Sequence, residues 1–139
     1  MNNLYKAIKK SAKSLWNALP VLLGVILLVS LANTLILRQA YTALFQNNPL
    51  IDSFIGSALG SVLAGNPVTS YILGGEMLKQ GVSLLAVTAF LVAWVTVGII
   101  QFPAESILLG KKFAITRNIT AFVLAIIVAI ITVSIVGLI

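Results

Sequence analysis

Three long apolar runs constrain this chain more than any other feature. They cover residues 15–37, 82–100 and 119–139. At 1.5 Å per residue of α-helix the runs reach about 34, 28 and 31 Å, so each can cross the hydrocarbon core of a bilayer. The chain is 60% hydrophobic and 9% charged, which leaves too few polar residues to cover soluble helices. We therefore expect an all-α membrane protein with three transmembrane helices in a single membrane domain, residues 1–139.

The amino-terminal segment is basic and amphipathic. Residues 4–13 place apolar side chains near one helical face. Four lysines lie elsewhere on this helix: Lys6, Lys9, Lys10 and Lys13. We expect the helix to lie on the inner membrane surface, where anionic lipid attracts lysine, before the chain turns into the first span. Pro20 is expected in the first turns of that span, where a missing N–H costs least.

The net charge of +6 has to be explained together with the missing residue types. Basic chains often bind nucleic acid, but these lysines flank apolar runs and form no solvated patch, so we expect no nucleic-acid partner. Cysteine and histidine are both absent, which excludes thiolate chemistry, zinc sites and imidazole bases. The sequence also has no nucleophile–base pair and no phosphate-binding loop. We expect no enzyme activity, no cofactor and no metal site.

The segment 50–80 is apolar but is interrupted by Gly65-Asn66-Pro67. Glycine often ends a helix, asparagine caps one, and proline is tolerated at the first helical position. Each arm is then about 15 residues and 22 Å long, which is too short to cross a core of about 30 Å. The segment is therefore either one crooked span or a re-entrant helical hairpin with its tip inside the membrane.

The distribution of basic residues favours the hairpin. A hairpin places seven lysine and arginine residues inside and leaves Arg38 and Lys79 outside, whereas a crooked span gives five inside and four outside. Basic residues accumulate on the cytoplasmic side of membrane proteins. The favoured topology places the N-terminus in the cytoplasm and the C-terminus outside the cell membrane.

Small residues repeat every four positions before the break. They form two neighbouring rows, which are Ser53, Ser57, Ser61 and Gly65, and Gly56, Gly60 and Ala64. Such a face allows membrane helices to pack closely, which is the simplest interpretation of each residue. The tip has a further interpretation, because opposed half-helix ends form the substrate sites of many transporters.

The candidate substrate site combines hydroxyl, amide and backbone groups around the tip. Its residues are Ser57, Ser61, Gly65, Asn66, Pro67, Thr69 and Ser70. We expect the N–H groups of Val68 and Thr69 to be free at the positive end of the second arm. Such a site would suit an anionic or strongly polar small solute.

Two of the three carboxylates lie within the segment 50–80. Glu76 has two interpretations. The simpler is a surface ion pair with Lys79, three residues on. The alternative is coupling to a proton or cation, since carboxylates within membranes are often functional. Asp52 is expected to cap the first arm.

Several stretches carry a resemblance to a known family. They are residues 65–71, which include Gly-Asn-Pro, and residues 74–76, 81–83, 101–105, 111–113 and 117–118. They are similar to a family of predicted permeases that includes bacterial organoarsenical efflux permeases, and the similarity covers residues 56–139. The resemblance implies substrate contact near Gly65, Asn66 and Pro67. Without cysteine, thiolate capture of trivalent arsenic is excluded.

The resemblance also implies a half-size member, because full-length members carry two related halves in one chain. Three spans and a hairpin place the two termini on opposite sides, so duplicating this unit would give an inverted repeat. We expect the chain to need a partner in the lipid bilayer, either a homo-oligomer or a second half-size chain. The expected function is a permease subunit for a small polar or anionic solute. A channel with the hairpin tip as its selectivity element and a non-transporting membrane scaffold are the alternatives.

Overall fold

The computed structural model describes residues 2–35, 43–46, 48–63 and 66–138. The helices whose bounds lie within these residues are α1 (Asn2–Leu35), α2 (Pro49–Val62), α3 (Pro67–Lys79), α4 (Leu84–Thr96), α5 (Phe102–Leu108) and α6 (Lys111–Val136). The described residues contain no strand, so the all-α fold class is confirmed for this part of the chain. The chain divides into two compact units, Met1–Ile36 and Leu37–Ile139. The first unit contains α1 and the second contains the other helices.

The first unit is one continuous helix, Asn2–Leu35. The turn predicted between the interfacial segment 4–13 and the span 15–37 is absent, because no glycine or proline lies there to end the helix. Pro20 therefore lies well inside α1 and not in the first turns of a helix. Its missing N–H removes one hydrogen bond from the helix interior. Residues 36–37 of the predicted span lie outside the described residues.

The predicted break between two short helices is confirmed. α2 ends at Val62 and α3 begins at Pro67, with Asn66 as its N-cap. The arms contain 14 and 13 residues, which corresponds to a rise of about 21 and 20 Å. Gly65, which the sequence places in the break, lies outside the described residues.

α3 and α4 are joined by a tight turn that reverses the chain. The N–H of Val82 donates to the carbonyl of Met77, and the N–H of Gly81 donates to that of Leu78, both at 3.0 Å. This pair of bonds is a Schellman motif at the end of α3. Gly81 has a φ of +91°, a conformation that favours glycine. The side chain of Ser83 then caps α4, so α3 and α4 run antiparallel.

α2 packs along α4 in the same direction. Gly56 lies against the backbone of Ala86. One turn further along each helix, Gly60 lies against the backbone of Phe90. The two helices are therefore parallel, although the antiparallel α3 lies between them in the sequence.

α6 packs along α4 in the opposite direction. The N–H of Gly98, just after α4, donates to Oδ1 of Asn118 near the start of α6 at 2.9 Å. Ala93 of α4 and Ala125 of α6 share a buried cluster. Towards the other end of both helices, one cavity is lined by residues from the start of α4 and the end of α6.

The segment that contains α2 and α3 begins and ends at the same end of the second unit. Pro49 and Asp52 at the start of α2 line one cavity together with Ser83 and Leu84, which closely follow the end of α3. A re-entrant hairpin requires this return, whereas a single crooked crossing does not. We call this end the entry end. The tip end is the opposite one, where α2 and α4 end and α3 and α6 begin.

The predicted span 82–100 is shorter in the structure. α4 covers only Leu84–Thr96. Ser83 caps its first turn, and Val97 adopts an extended conformation that ends the helix before Gly98. The difference arises because the prediction counted apolar residues, whereas these two local features set the ends of the helix.

The predicted span 119–139 begins earlier in the structure. α6 starts at Lys111, directly after Gly110, which has a φ of +92°. Lys111, Lys112 and Arg117, which precede the predicted span, are therefore part of this helix. By length and composition, α6 is the one helix among the described residues that could cross a membrane.

Candidate functional site

The small-residue face of α2 is buried against α4. Its buried members are Asp52, Ser53, Gly56, Ser57, Gly60 and Ser61. A Cβ atom built on Gly56 would lie 2.2 Å from the carbonyl oxygen of Ala86, and one built on Gly60 would lie 2.3 Å from that of Phe90. Only glycine permits so close an approach of two helix backbones. The close-packing interpretation is confirmed for these two glycines, and the contact lies within the chain.

The serine hydroxyls of this face differ in whether they have a hydrogen-bond partner. The hydroxyl of Ser61 donates to the carbonyl of Ala58 at 2.7 Å. Ser57 is fully buried, and its hydroxyl has no hydrogen-bond partner among the described residues. Of the two α2 serines predicted for the site, Ser61 also lines the cavity described below, and Ser57 lies one turn away along α2.

The start of α3 differs from the prediction in one respect. The N–H of Val68 donates to Oδ1 of Asn66, and the N–H of Thr69 donates to the carbonyl of Asn66, both at 2.9 Å. The prediction of two free N–H groups was wrong, because Asn66 supplies an acceptor to each. Asn66 and Pro67 are exposed and Thr69 is half-buried. Ser70 is buried and donates to the carbonyl of Pro67.

A cavity of about 150 Å³ lies at the tip end. Ser61 and Leu63 line it from the end of α2, and Val97, Gly98 and Gln101 line it from the end of α4 and beyond. The last turn of a helix presents carbonyl oxygens and the negative end of the helix dipole. Because two helices end at this cavity, it suits hydrogen-bond donors and positive charge better than anions.

A polar network, which we call the tip network, lies beside this cavity. Glu105 of α5 forms an ion pair with Arg117 of α6 and accepts a hydrogen bond from Nδ2 of Asn118 at 3.3 Å. Asn118 in turn accepts the N–H of Gly98. A Cβ atom at Gly98 would lie 3.4 Å from Nη1 of Arg117 and 3.0 Å from Oε1 of Gln101. The network therefore joins α5 and α6 to the end of α4 at the cavity.

Sequence reasoning assigned no role in the site to Glu105, Arg117 or Gln101. All three lie between the predicted spans 82–100 and 119–139, so the sequence predicts them outside the membrane. A signal was nevertheless present, since residues 101–105 and 117–118 belong to the segments that carry the family resemblance. No spacing along one helix connects these residues, because they lie on different elements.

Glu76 lies near the end of α3, at the entry end of the unit. Its carboxylate forms the predicted ion pair with Lys79, with 3.2 Å between Oε2 and Nζ. The Lys79 side chain is 75% exposed. This arrangement fits the surface ion pair and places Glu76 away from the tip cavity.

Asp52 does not cap α2, contrary to the prediction. The cap is Asn48, whose side chain accepts the N–H of Leu50 at 3.2 Å. α2 begins at Pro49, so Asp52 lies about one turn inside the helix. Its Oδ1 instead accepts the N–H of Gln46, in the connection before α2, at 3.0 Å.

Comparison with known protein families gives one match. Residues 3–137 match the family described as "Predicted permease". No curated protein and no solved structure is significantly similar to the chain. The matched range includes the Asn66 break and the tip network, and it covers nearly the whole sequence. The expected resemblance is thereby confirmed, and the chain belongs to this family of predicted permeases.

Proposed function

We propose that this chain is a permease subunit that moves a small polar solute across the cell membrane. Membership of the permease family supports a membrane transporter and not an enzyme. The long apolar helix α6 supports a location in the membrane. The tip cavity is the observation that supports a solute site, because a hydroxyl and a carboxamide, those of Ser61 and Gln101, meet two helix ends there.

The proposed solute donates hydrogen bonds and is neutral or cationic. The N–H groups at the start of α3 already have acceptors, which removes the main reason to expect an anion. The guanidinium of Arg117 is paired with Glu105, so its charge is compensated. Asn66 and Pro67 shape the tip, while Thr69 and Ser70 belong to the first turn of α3 beside it. Ser57, one turn from the cavity along α2, has a buried hydroxyl with no hydrogen-bond partner among the described residues.

We further propose that a second helical unit completes the pathway. Asn66 is exposed and non-helical at the tip, beside the exposed Pro67 and Val68 that begin α3. Exposed non-helical backbone at membrane depth needs protein or a polar cavity beside it. A second copy of this chain or a related chain of opposite orientation would provide this, in the inverted arrangement that is common in transporters.

The solute site is tested by thermal stabilisation of the purified protein. We expect ammonium, choline or glycerol at millimolar concentration to raise the melting temperature, because a ligand that binds only the folded state stabilises it. Gln101→Leu should lose this increase without a large change in its own melting temperature.

The matched control for this experiment is Thr96→Val. Thr96 is exposed beside the cavity, and its hydroxyl donates a hydrogen bond to the carbonyl of Val92 in the same helix. The melting temperature of this variant should therefore rise with the solute as that of the wild type does. Stabilisation by phosphate or methylarsonate alone would identify an anionic solute instead. An unchanged response of Gln101→Leu would place the site elsewhere.

The proposed topology is tested with single cysteines, which the chain naturally lacks. Lys111 and Gln46 are both exposed, at the tip end and the entry end. We expect Lys111→Cys to be protected from an impermeant maleimide in intact cells and Gln46→Cys to react, since basic residues favour a cytoplasmic tip end. Permeabilised cells should label both. Reaction of Lys111→Cys in intact cells would contradict the hairpin topology.

A further inference from the structure

Asp52 is a buried carboxylate that the proposed solute site does not use. The residue is only 1% exposed. Its Oδ1 accepts the N–H of Gln46, whereas its Oδ2 has no hydrogen-bond partner among the described residues. The ion pairs within this part of the chain join the other two carboxylates to Lys79 and Arg117. No described cation therefore compensates Asp52.

Asp52 is one of the residues that line a cavity at the entry end. The cavity has a volume of about 320 Å³ and is lined by Pro49, Asp52, Ser83, Leu84, Leu85 and Val133. Asp52 carries the only charge among these lining residues. The hydroxyl oxygen of Ser83 accepts the N–H of Ala86, which leaves its O–H free to donate. The volume is sufficient for a small cation with several water molecules.

A carboxylate in this position is incompletely compensated. Burying a charge is costly unless it is paired or well hydrogen-bonded, and one backbone N–H is a small part of that compensation. A positive charge bound at Oδ2 would supply the rest. Carboxylates within membrane proteins commonly mark ion or proton pathways for this reason.

We propose that Asp52 and the entry-end cavity form a site for a monovalent cation, either a proton or an alkali ion, bound at Oδ2. The site is separate from the tip cavity, and α2 carries a residue of each, Asp52 near its start and Ser61 near its end. On the proposed permease function, the cation bound at Asp52 would be the coupling ion, in place of one at Glu76.

The site is tested by melting temperatures measured without any solute. The starting buffer contains N-methyl-D-glucamine chloride. In one arm the pH of this buffer is varied. In the other arm the pH is constant, and sodium chloride replaces the N-methyl-D-glucamine chloride at constant ionic strength. We expect one of these changes to shift the wild-type melting temperature. Asp52→Asn should lose the shift, because the amide keeps an oxygen for the N–H of Gln46 but carries no charge. Glu76→Gln, the control, should keep it.

The two arms distinguish the cations. A shift with pH but not with sodium identifies a proton, and a shift with sodium at constant pH identifies an alkali ion. The proposal is overturned when Asp52→Asn shifts as the wild type does, or when the wild type responds to neither change. Because no solute is present, this result is independent of the Gln101 experiment on the proposed function.

A second measurement keeps the proposal falsifiable when Asp52→Asn does not fold. Wild-type protein is treated with a hydrophobic carbodiimide, which reacts with protonated carboxyl groups, and the product is mapped by mass spectrometry. We expect modification at Asp52 that decreases with added sodium or at higher pH. The proposal is contradicted when Asp52 is not modified, or when its modification changes with neither sodium nor pH. The carboxylate would then serve only to hold the segment before α2 through its hydrogen bond with the N–H of Gln46.

Discussion

Gly60→Ala is expected to separate α2 from α4 and to lower the thermal stability sharply. The new Cβ would lie 2.3 Å from the carbonyl oxygen of Phe90 and 3.1 Å from the amide nitrogen of Trp94. These are backbone atoms of a helix, which cannot rotate away as a side chain can. Overpacking usually costs about 1–3 kcal/mol, and the rigid neighbour places this change at the upper end of that range.

Gly75→Ala is the matched control for Gly60→Ala. Gly75 is also a helical glycine, in α3, but a Cβ atom there would meet nothing within 4 Å. Alanine is favoured over glycine inside a helix by about 1 kcal/mol, so this variant should melt at the same or a higher temperature. The measurement is the melting temperature of both purified variants in the same detergent. Equal behaviour of the two would mean that α2 does not pack on α4 through its glycines.

Arg117→Ala is expected to have the second large effect, because it leaves Glu105 without its cation. The Glu105 side chain is 16% exposed, so water screens it poorly. Exposed ion pairs contribute about 0–1 kcal/mol, whereas removing one partner of a fully buried pair costs about 3–5 kcal/mol. We expect a loss of about 2–3 kcal/mol for this partly buried pair, measured as a drop in melting temperature and as loosening of α5.

Lys79→Ala is the matched control for Arg117→Ala. Lys79 also pairs with a glutamate, but its side chain is 75% exposed. A pair of this kind on a helix surface contributes about 0.2–0.5 kcal/mol, so the variant should melt close to the wild type. Combining Arg117→Ala with Glu105→Gln should recover part of the loss, because the uncompensated charge is removed as well. A loss at Lys79 as large as that at Arg117 would contradict the structural role of the tip network.

Local features of this fold were predictable from the sequence. Asn66 and Pro67 act on the backbone beside them, so the break and the cap follow from residue type alone. The four-residue repeat of small residues likewise predicts a packing face on one helix. The same local rules did not show that Asn66 would satisfy both neighbouring N–H groups with its own two oxygens.

Features that depend on partners distant in the sequence were not predictable. The polar Arg117 and Asn118 lie on a continuous helix because Glu105 and Gly98 provide partners on other elements. The length of an apolar run does not reveal such partners. The parallel packing of α2 on α4 and the burial of Asp52 likewise depend on how the chain folds back at Gly81.

The shortness of α2, α3 and α4 has a consequence for how this protein is made. Each rises about 20 Å, well short of a hydrocarbon core of about 30 Å. Insertion machinery that tests nascent segments one at a time for hydrophobic length would therefore not release α2 or α3 into lipid alone. Gly56 and Gly60 stay uncovered until α4 has been synthesised. On the proposed topology, we therefore expect the three helices to enter the bilayer together, as a folded group, after the ribosome has passed the end of α4.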